Sequence, residues 1–134
     1  MKTPLLLPLL AVIAACPVGT TARHYTNSAE GIYVDVQLVG RPRVRFSGEL
    51  MSVRDSTLLV LRDDYEHVVE VPIRAIRYAT FDRQGTLIDG GQLRRRDREK
   101  LRLMSRFPNG VSPELEARLL SAHGQTTLEQ ARQP

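Results

Sequence analysis

The chain is poor in the residues that usually mark a disulfide scaffold, a metal centre or a membrane span. It has one cysteine and three histidines in 134 residues. A single cysteine excludes an internal disulfide. No apolar run approaches the roughly 20 residues that a helix needs to cross a bilayer, because the longest one, residues 5–13, is interrupted by Pro8. We therefore expect neither a disulfide-stapled fold nor a retained transmembrane helix.

Signatures of catalysis are also scarce. His24, His67 and His123 each lack a second histidine or a usable cysteine at metal-ligand spacing. No glycine-rich phosphate-binding loop follows a strand, and Gly90-Gly91 is typical of a flexible turn. No Ser/His/Asp arrangement is evident from the spacing, although such triads need not be local in sequence. We predict a protein that is not an enzyme and that has no cofactor and no metal site. A hydrolase is the competing enzyme class, and no acid is singled out for it.

One acidic turn needs a separate assessment. Asp63, Asp64 and Glu66 lie close together between two apolar segments. Carboxylates bind divalent cations, but this turn lacks the further ordered oxygen ligands of a calcium loop. A solvated hairpin tip is the favoured interpretation.

The first 15 residues have the layout of a secretory signal peptide. Lys2 supplies the positive start, residues 5–13 are apolar, and the small residues Ala14 and Ala15 precede the expected cleavage point. The sequence therefore predicts export.

The segment Ile13-Ala14-Ala15-Cys16 resembles the lipobox of bacterial lipoproteins. That resemblance implies lipidation of the Cys16 sulfur, cleavage before Cys16 and acylation of the new amino terminus. Pro17 follows the cysteine, and by the same resemblance it gives no reason for retention in the inner membrane. The implied location is the bacterial cell envelope, on the periplasmic face of the outer membrane. An ordinary secreted protein with a chance cysteine is the alternative.

The remaining chain divides by composition. Residues 17–30 are rich in Thr, Ser and Ala and lack hydrophobic periodicity, so we expect a tether over residues 16–30. A small β-domain is predicted over residues 31–82 and a helical extension over residues 93–132. About 119 residues after cleavage suffice for one small domain.

The β-domain is predicted from a period of two. Ile32, Val34, Val36 and Leu38 alternate with polar residues, as in a half-buried strand. Similar patterns, separated by turns, predict five strands over residues 31–38, 43–53, 57–62, 68–71 and 76–81. Because closure removes exposed edges, we predict an α+β protein in which a small five-stranded antiparallel β-barrel precedes two or three short helices.

Two segments resemble the motifs of Sm-like barrels, a pattern largely shared with SH3-like barrels. Residues 46–61 are similar to the first Sm motif, with Gly48 at the strand bend, and residues 71–76 are similar to the second. The family's apolar core positions correspond here to Leu50, Val53, Leu59 and Leu61.

The residues through which that family contacts RNA are missing. Where the family has an aspartate and an asparagine, this chain has Arg54 and Leu58. Where the family has a glycine after the Ile-Arg pair, this chain has Ala75. Base recognition requires stacking platforms and hydrogen bonds to base edges. A nucleic-acid-binding Sm-like barrel is therefore the alternative function, and nucleic acid is an unlikely partner.

Two helices are expected near the carboxyl end. The first covers residues 93–107, with Leu101, Leu103, Met104 and Phe107 as its apolar positions. The second begins after Ser112, a good N-cap, and Pro113 suits its first position. Its predicted buried face is formed by Leu115, Leu119 and Ala122. A last helical turn is expected over residues 127–132.

Basic charge is concentrated in one segment. Residues 94–106 contain seven basic and two acidic side chains, whereas the whole chain has a net charge of +4. The basic residues are Arg94, Arg95, Arg96, Arg98, Lys100, Arg102 and Arg106. This segment is either a solvated helix face with i,i+4 pairing, as between Arg95 and Glu99, or a contact for anionic lipid or lipopolysaccharide, or a nucleic-acid contact. The last is least favoured because no aromatic residues are interleaved.

These observations predict an envelope-anchored bacterial lipoprotein with a non-catalytic binding or scaffolding domain. Its expected partners are the membrane, through a lipid on Cys16, and an envelope protein or anionic lipid.

Overall fold

The structure, a computed structural model, describes residues 30–131. Cys16, the predicted signal peptide and all but the last residue of the predicted tether lie outside the described residues. The strands are β1 Tyr33–Leu38, β2 Arg45–Val53, β3 Thr57–Arg62, β4 Val68–Pro72, β5 Ile76–Phe81, β6 Gly85–Asp89, β7 Gln92–Leu93 and β8 Glu129–Gln130. The helices are α1 Arg95–Met104 and α2 Pro113–Ala122, and a 3-10 turn, Ile73–Ala75, joins β4 to β5.

The eight strands form one open sheet in the order β7-β6-β5-β1-β2-β3-β4-β8. The prediction of an α+β protein is correct, but the prediction of a closed five-stranded barrel is wrong. The outer edge of β5 pairs with β6, and the outer edge of β4 pairs with β8, so β4 and β5 do not close on each other. The sheet therefore curls into a half-barrel. Its edges are protected by very short terminal strands, which offer little template for another chain.

The sequence does not predict β6 and β7, the two strands after residue 82. They form a hairpin whose turn consists of glycines. Gly90 and Gly91 both have positive φ, at 55° and 76°, and consecutive positive φ values are the mark of the turn type that joins tight hairpins. Gly85 also has a positive φ, of 75°. Gly90-Gly91, which the sequence predicts as a flexible turn, thus makes an ordered hairpin turn, and the sheet continues past residue 82.

The carboxyl-terminal segment also differs from the prediction. Residues 127–132 were expected to form a helical turn, but Glu129–Gln130 is a strand parallel to β4. The amide N–H of Ala131 extends this pairing by donating to the carbonyl of Glu70 at 2.9 Å. The edge of β4 offers backbone partners that a short, isolated helical turn lacks, and this tertiary pairing overrides the local capping pattern.

Strands occur over all five predicted segments, and the alternating pattern explains their burial. In β1, Val34, Val36 and Leu38 are buried while Tyr33 and Asp35 face solvent. Their partners in the core come from every neighbouring strand and from α1. Burial of these aliphatic side chains supplies the main driving force for folding.

A close backbone approach fixes the identity of Gly48 in β2. A Cβ atom there would lie 2.0 Å from the carbonyl oxygen of Leu61 in β3, a distance that no side chain tolerates. Two residues later the β2–β3 register shifts between Leu50 and Ser52. This bulge increases the local bend of β2.

The helices begin close to where the sequence predicts, but their buried residues differ. In α1, Leu101 and Met104 are buried, whereas Leu103 is 59% exposed. In α2, the buried residue is Leu120, and Ala122 is exposed. The expected cap is present, because the Ser112 hydroxyl accepts a hydrogen bond from the Leu115 amide at 3.3 Å.

Candidate anionic-surface interface

The basic segment 94–106 begins directly after β7 at Arg94, the N-cap of α1, and covers the whole of α1 and the turn that follows it. The structure divides its seven cations into two groups. Arg98, Arg102 and Arg106, spaced four residues apart, point toward the sheet and its loops and are engaged there. Arg94, Arg95, Arg96 and Lys100 are exposed, and their side chains have no ion pair or hydrogen-bond partner among residues 30–131.

Arg106 has the strongest set of contacts in the inward group. Its Nε and Nη2 atoms each donate to Glu49 at 2.6 Å, one to each carboxylate oxygen. The same carboxylate also accepts from the Gly31 amide at 2.6 Å. Bidentate guanidinium–carboxylate pairs are geometrically specific. The pair therefore fixes the end of α1 to β2 and to the start of the described chain.

Arg98 and Arg102, one turn apart within α1, attach the helix to the β2–β3 turn. Arg98 Nη1 donates to the backbone carbonyls of Arg54 and Asp55, and Arg102 Nη2 donates to the Asp55 carboxylate at 3.1 Å. Arg102 also pairs with Glu99 at 3.2 Å within the helix. These contacts hold α1 in one orientation, which leaves the opposite face of the helix toward solvent.

The outward face carries unneutralised charge beside an exposed apolar side chain. Arg96 and Lys100 are four residues apart, and Leu103 lies one turn beyond Lys100, so the three share a stripe of α1. Leu103 is the most exposed of the large hydrophobic residues. The sequence pattern groups Leu103 with the other apolar positions of the helix and does not distinguish it from the buried ones. Its i,i+3 spacing from Lys100 and i,i+7 spacing from Arg96 were the available signal.

The acidic turn between β3 and β4 is organised by its neighbours. Asp64 accepts from Arg62, whose Nε donates at 2.9 Å, and this hydrogen bond lowers the pKa of Asp64 below its usual value. Asp63 accepts from the Tyr33 hydroxyl, which raises the pKa of Tyr33. Both carboxylates are therefore engaged within the protein. Residues 30–131 contain no group of three histidine, cysteine or acidic side chains that could hold a metal ion.

A second charged cluster ties α2 to the sheet. Arg54, at the end of β2, donates to Glu70 in β4 at 3.1 Å and to Glu116 in α2. Thr57 also donates to Glu70, at 2.9 Å. The pKa of Arg54 is raised despite partial burial, because both carboxylates stabilise its charged form. Arg54 occupies a position where the Sm-like motif has an aspartate, and in this protein its side chain joins β4 to α2.

The histidines that the structure describes are His67 and His123. His67 packs edge-on against Tyr65 at 5.1 Å and lies 3.6 Å from Glu129. His123 forms the C-cap of α2. His24 lies outside the described residues. Neither described histidine has a second nitrogen or sulfur ligand arranged around it in that part of the chain.

No helix between residues 30 and 131 is both long and apolar enough to span a bilayer. Comparison with protein-family models, with curated proteins and with solved structures found no match to this chain. A functional interpretation therefore depends on the residues themselves.

Proposed function

We propose that this protein is a bacterial envelope lipoprotein, lipidated on Cys16, whose domain binds anionic membrane surfaces through the outward face of α1. We define the basic face as Arg94, Arg95, Arg96 and Lys100. The observation that supports the proposal is the division of the basic segment: three arginines fix the helix, and four cations face solvent without a counter-charge among the described residues.

The chemistry of an anionic bilayer suits this arrangement. Each basic residue near such a surface contributes about 1 kcal/mol, so four of them contribute several kcal/mol together. Leu103 adds an apolar side chain to the same face, and apolar burial at the lipid boundary reinforces electrostatic attraction. A lipid on Cys16 keeps the domain near the bilayer, which raises the effective concentration of the basic face there.

No catalytic step is part of this proposal. The domain acts by contact, as an adaptor or scaffold at the membrane. An envelope protein with an acidic surface is the other partner class that the same face accommodates, and vesicle binding distinguishes the two.

The vesicle test uses the chain from residue 17 onward, which removes the anchor and keeps every described residue. We expect it to sediment with phosphatidylglycerol vesicles at low salt, to sediment weakly with phosphatidylcholine vesicles, and to be released as the Debye length shortens in high salt. Changing Arg94, Arg95 and Arg96 to glutamine removes about 3 kcal/mol and weakens binding roughly 100-fold.

The matched control changes Arg41, Arg43 and Arg45 to glutamine. These three arginines are also exposed and precede or begin β2, so the control makes the same change in net charge far along the chain from α1. Equal losses in the two variants would show that net charge alone drives binding and would refute a specific basic face.

The anchor is tested separately by mass spectrometry of the protein recovered from bacterial membranes. We expect an amino terminus at Cys16 carrying a thioether-linked diacylglycerol and an amide-linked acyl chain. A free thiol with residues 1–15 still attached would refute the lipoprotein assignment.

A further inference from the structure

A cleft opens between the two edges of the half-barrel sheet. It has a volume of about 720 Å³, within the range of small-molecule sites, and lies between β7 on one side and Gln130 of β8 on the other. Its remaining wall comes from the β2–β3 turn, the 3-10 turn after β4, and Arg98 of α1. The cleft is distinct from the acidic turn and from the outward basic face.

The cleft is rich in hydrogen-bond donors. Arg74 lines it, is exposed, and has no ion-pair or hydrogen-bond partner in the described part of the chain. Arg98 also lines it, and only its Nη1 atom is engaged, on two backbone carbonyls. The side chains of Ser56, Gln92 and Gln130 add a hydroxyl and two amides.

The acidic residue at this cleft does not cancel the positive charge. The Asp55 side chain is 97% exposed and is paired with Arg102 at 3.1 Å. Two guanidinium groups therefore face one carboxylate that already has a partner. The cleft favours an anion, and the number of donors exceeds what a carboxylate with two oxygens can use.

The wall of the cleft that carries Arg74 is held by backbone packing. A Cβ atom on Gly91 would lie 2.9 Å from the carbonyl oxygen of Arg74, so the β6–β7 turn packs directly on the Arg74 backbone. The Gly91 amide also donates to the Ile76 carbonyl at 2.7 Å. A preformed site loses less conformational entropy on binding than a mobile one.

Strand addition by a peptide is disfavoured here. Both bordering strands, Gln92–Leu93 and Glu129–Gln130, are two residues long. β-augmentation depends on a continuous run of free backbone groups, and these edges offer only a short one. A compact ligand fits the observations better than an extended chain.

We propose that this cleft binds a phosphate group, with Arg74 and Arg98 as its charged donors and Ser56, Gln92 and Gln130 as neutral ones. Several acceptor oxygens and a charge between −1 and −2 match this donor set. The phosphate belongs either to a membrane lipid headgroup or to a free phosphorylated solute. The proposal goes beyond the membrane contact of α1 and does not depend on it.

The experiment uses the full chain in an uncharged maltoside detergent and follows backbone amide signals by NMR. One arm adds glycerol 3-phosphate, and the other adds phosphatidylglycerol to the same micelles. We expect saturable shifts at residues 56, 74, 92 and 130 in at least one arm. Saturation with the soluble compound alone identifies a free solute as the source, and saturation with the lipid alone identifies a headgroup.

Arg74→Gln is expected to weaken binding roughly tenfold or more, since a charge-assisted hydrogen bond is lost. The matched control, Arg77→Gln, removes an exposed arginine that contacts the Tyr78 ring at 5.3 Å and does not line the cleft; binding should change less than twofold. Equal weakening in both variants, or no saturable shift at the four residues in either arm, would overturn the proposal.

The two proposals fail separately. A variant with glutamine at positions 94, 95 and 96 should lose vesicle binding while the cleft still saturates with its ligand. If the cleft binds phosphate but wild-type protein ignores anionic vesicles, the membrane contact is wrong and the cleft site stands.

Discussion

Helix α1 and the terminal segment, residues 123–131 after α2, attach to the same sheet by different interactions. Helix α1 inserts Leu101 and Met104 into the core and is flanked by the Glu49–Arg106 pair. The terminal segment attaches mainly by hydrogen bonds: the buried Gln125 amide bonds both the N–H and the carbonyl of Val68, at 2.7 and 2.9 Å. Helix α1 is thus held against the sheet largely by apolar burial, and the terminal segment is held at the β4 edge largely by polar pairing.

The difference shows what each attachment demands of the chain. Apolar burial is non-directional, so the buried contacts of α1 need only the right spacing of side chains, and the arginine contacts set its orientation. The Gln125 side chain works because it presents a donor and an acceptor in the geometry of a backbone unit, which directly satisfies Val68 at the edge of β4. Directional geometry is therefore required of the Gln125 contact, whereas in α1 it is required of the arginine contacts and not of the buried apolar ones.

The largest expected effect comes from the core residue of α1. Leu101→Ala should reduce the free energy of unfolding by about 2–5 kcal/mol, because it removes a fully buried side chain and leaves a cavity. Leu103→Ala is the matched control on the same helix and should have little effect, since Leu103 is 59% exposed. Urea denaturation followed by circular dichroism measures both. Similar losses in the two variants would mean that the α1 contact is not primarily apolar.

The second effect concerns the terminal segment. Gln125→Ala leaves the buried N–H and carbonyl of Val68 without their partner, and each orphaned group costs about 1–3 kcal/mol. We expect a loss of about 2–4 kcal/mol, together with faster amide exchange at Val68 and Glu70. Gln84→Ala, in the turn before β6, is the control. Unchanged exchange along β4 would contradict the role assigned to Gln125.

Those two attachments also explain how much of the fold can be predicted from sequence. The five central strands, β1 to β5, and the core position of Leu101 follow local periodicity, and the N-cap at Ser112 is a local signal too. The pairing of β8 with β4 depends on Gln125 meeting Val68, which lies 57 positions earlier. No local pattern contains that information, and the short β6 and β7 depend on glycine turns that also occur in loops.

The candidate interface was predictable in part. The concentration of charge in residues 94–106 is evident from composition, and helical spacing separates Arg96 and Lys100 from Arg98 and Arg102. Which face of α1 contacts the sheet depends on where Glu49 and Asp55 lie, and those residues are about fifty positions away in the chain. The cleft that includes Arg74 was not predicted, because it exists only where two sheet edges approach each other.

A third and smaller loss of stability is expected from the Glu49–Arg106 pair, the polar part of the α1 attachment. Glu49→Gln should cost about 1–2 kcal/mol, because a part-buried charge-assisted pair becomes a weaker neutral contact. Glu99→Gln, which alters an exposed i,i+3 pair, should change stability by a few tenths of a kcal/mol at most. Chemical denaturation at pH 7 compares the two. A larger cost for Glu99→Gln would show that the exposed pair, and not the bidentate one, holds the helix.

The smallest expected effect concerns α2, which lies between the two attachments in the chain. Leu119 is only part-buried whereas the neighbouring Leu120 is 7% exposed. Leu119→Ala should therefore cost about 1 kcal/mol, and Leu120→Ala should cost more, since lost burial sets the penalty. The two variants change the same residue type in adjacent positions, so helix propensity cancels. If thermal unfolding ranked Leu119 above Leu120, the helix would face the sheet through the Leu115–Leu119 side predicted from its sequence, and the hydrogen-bonded terminal segment would begin from a different orientation.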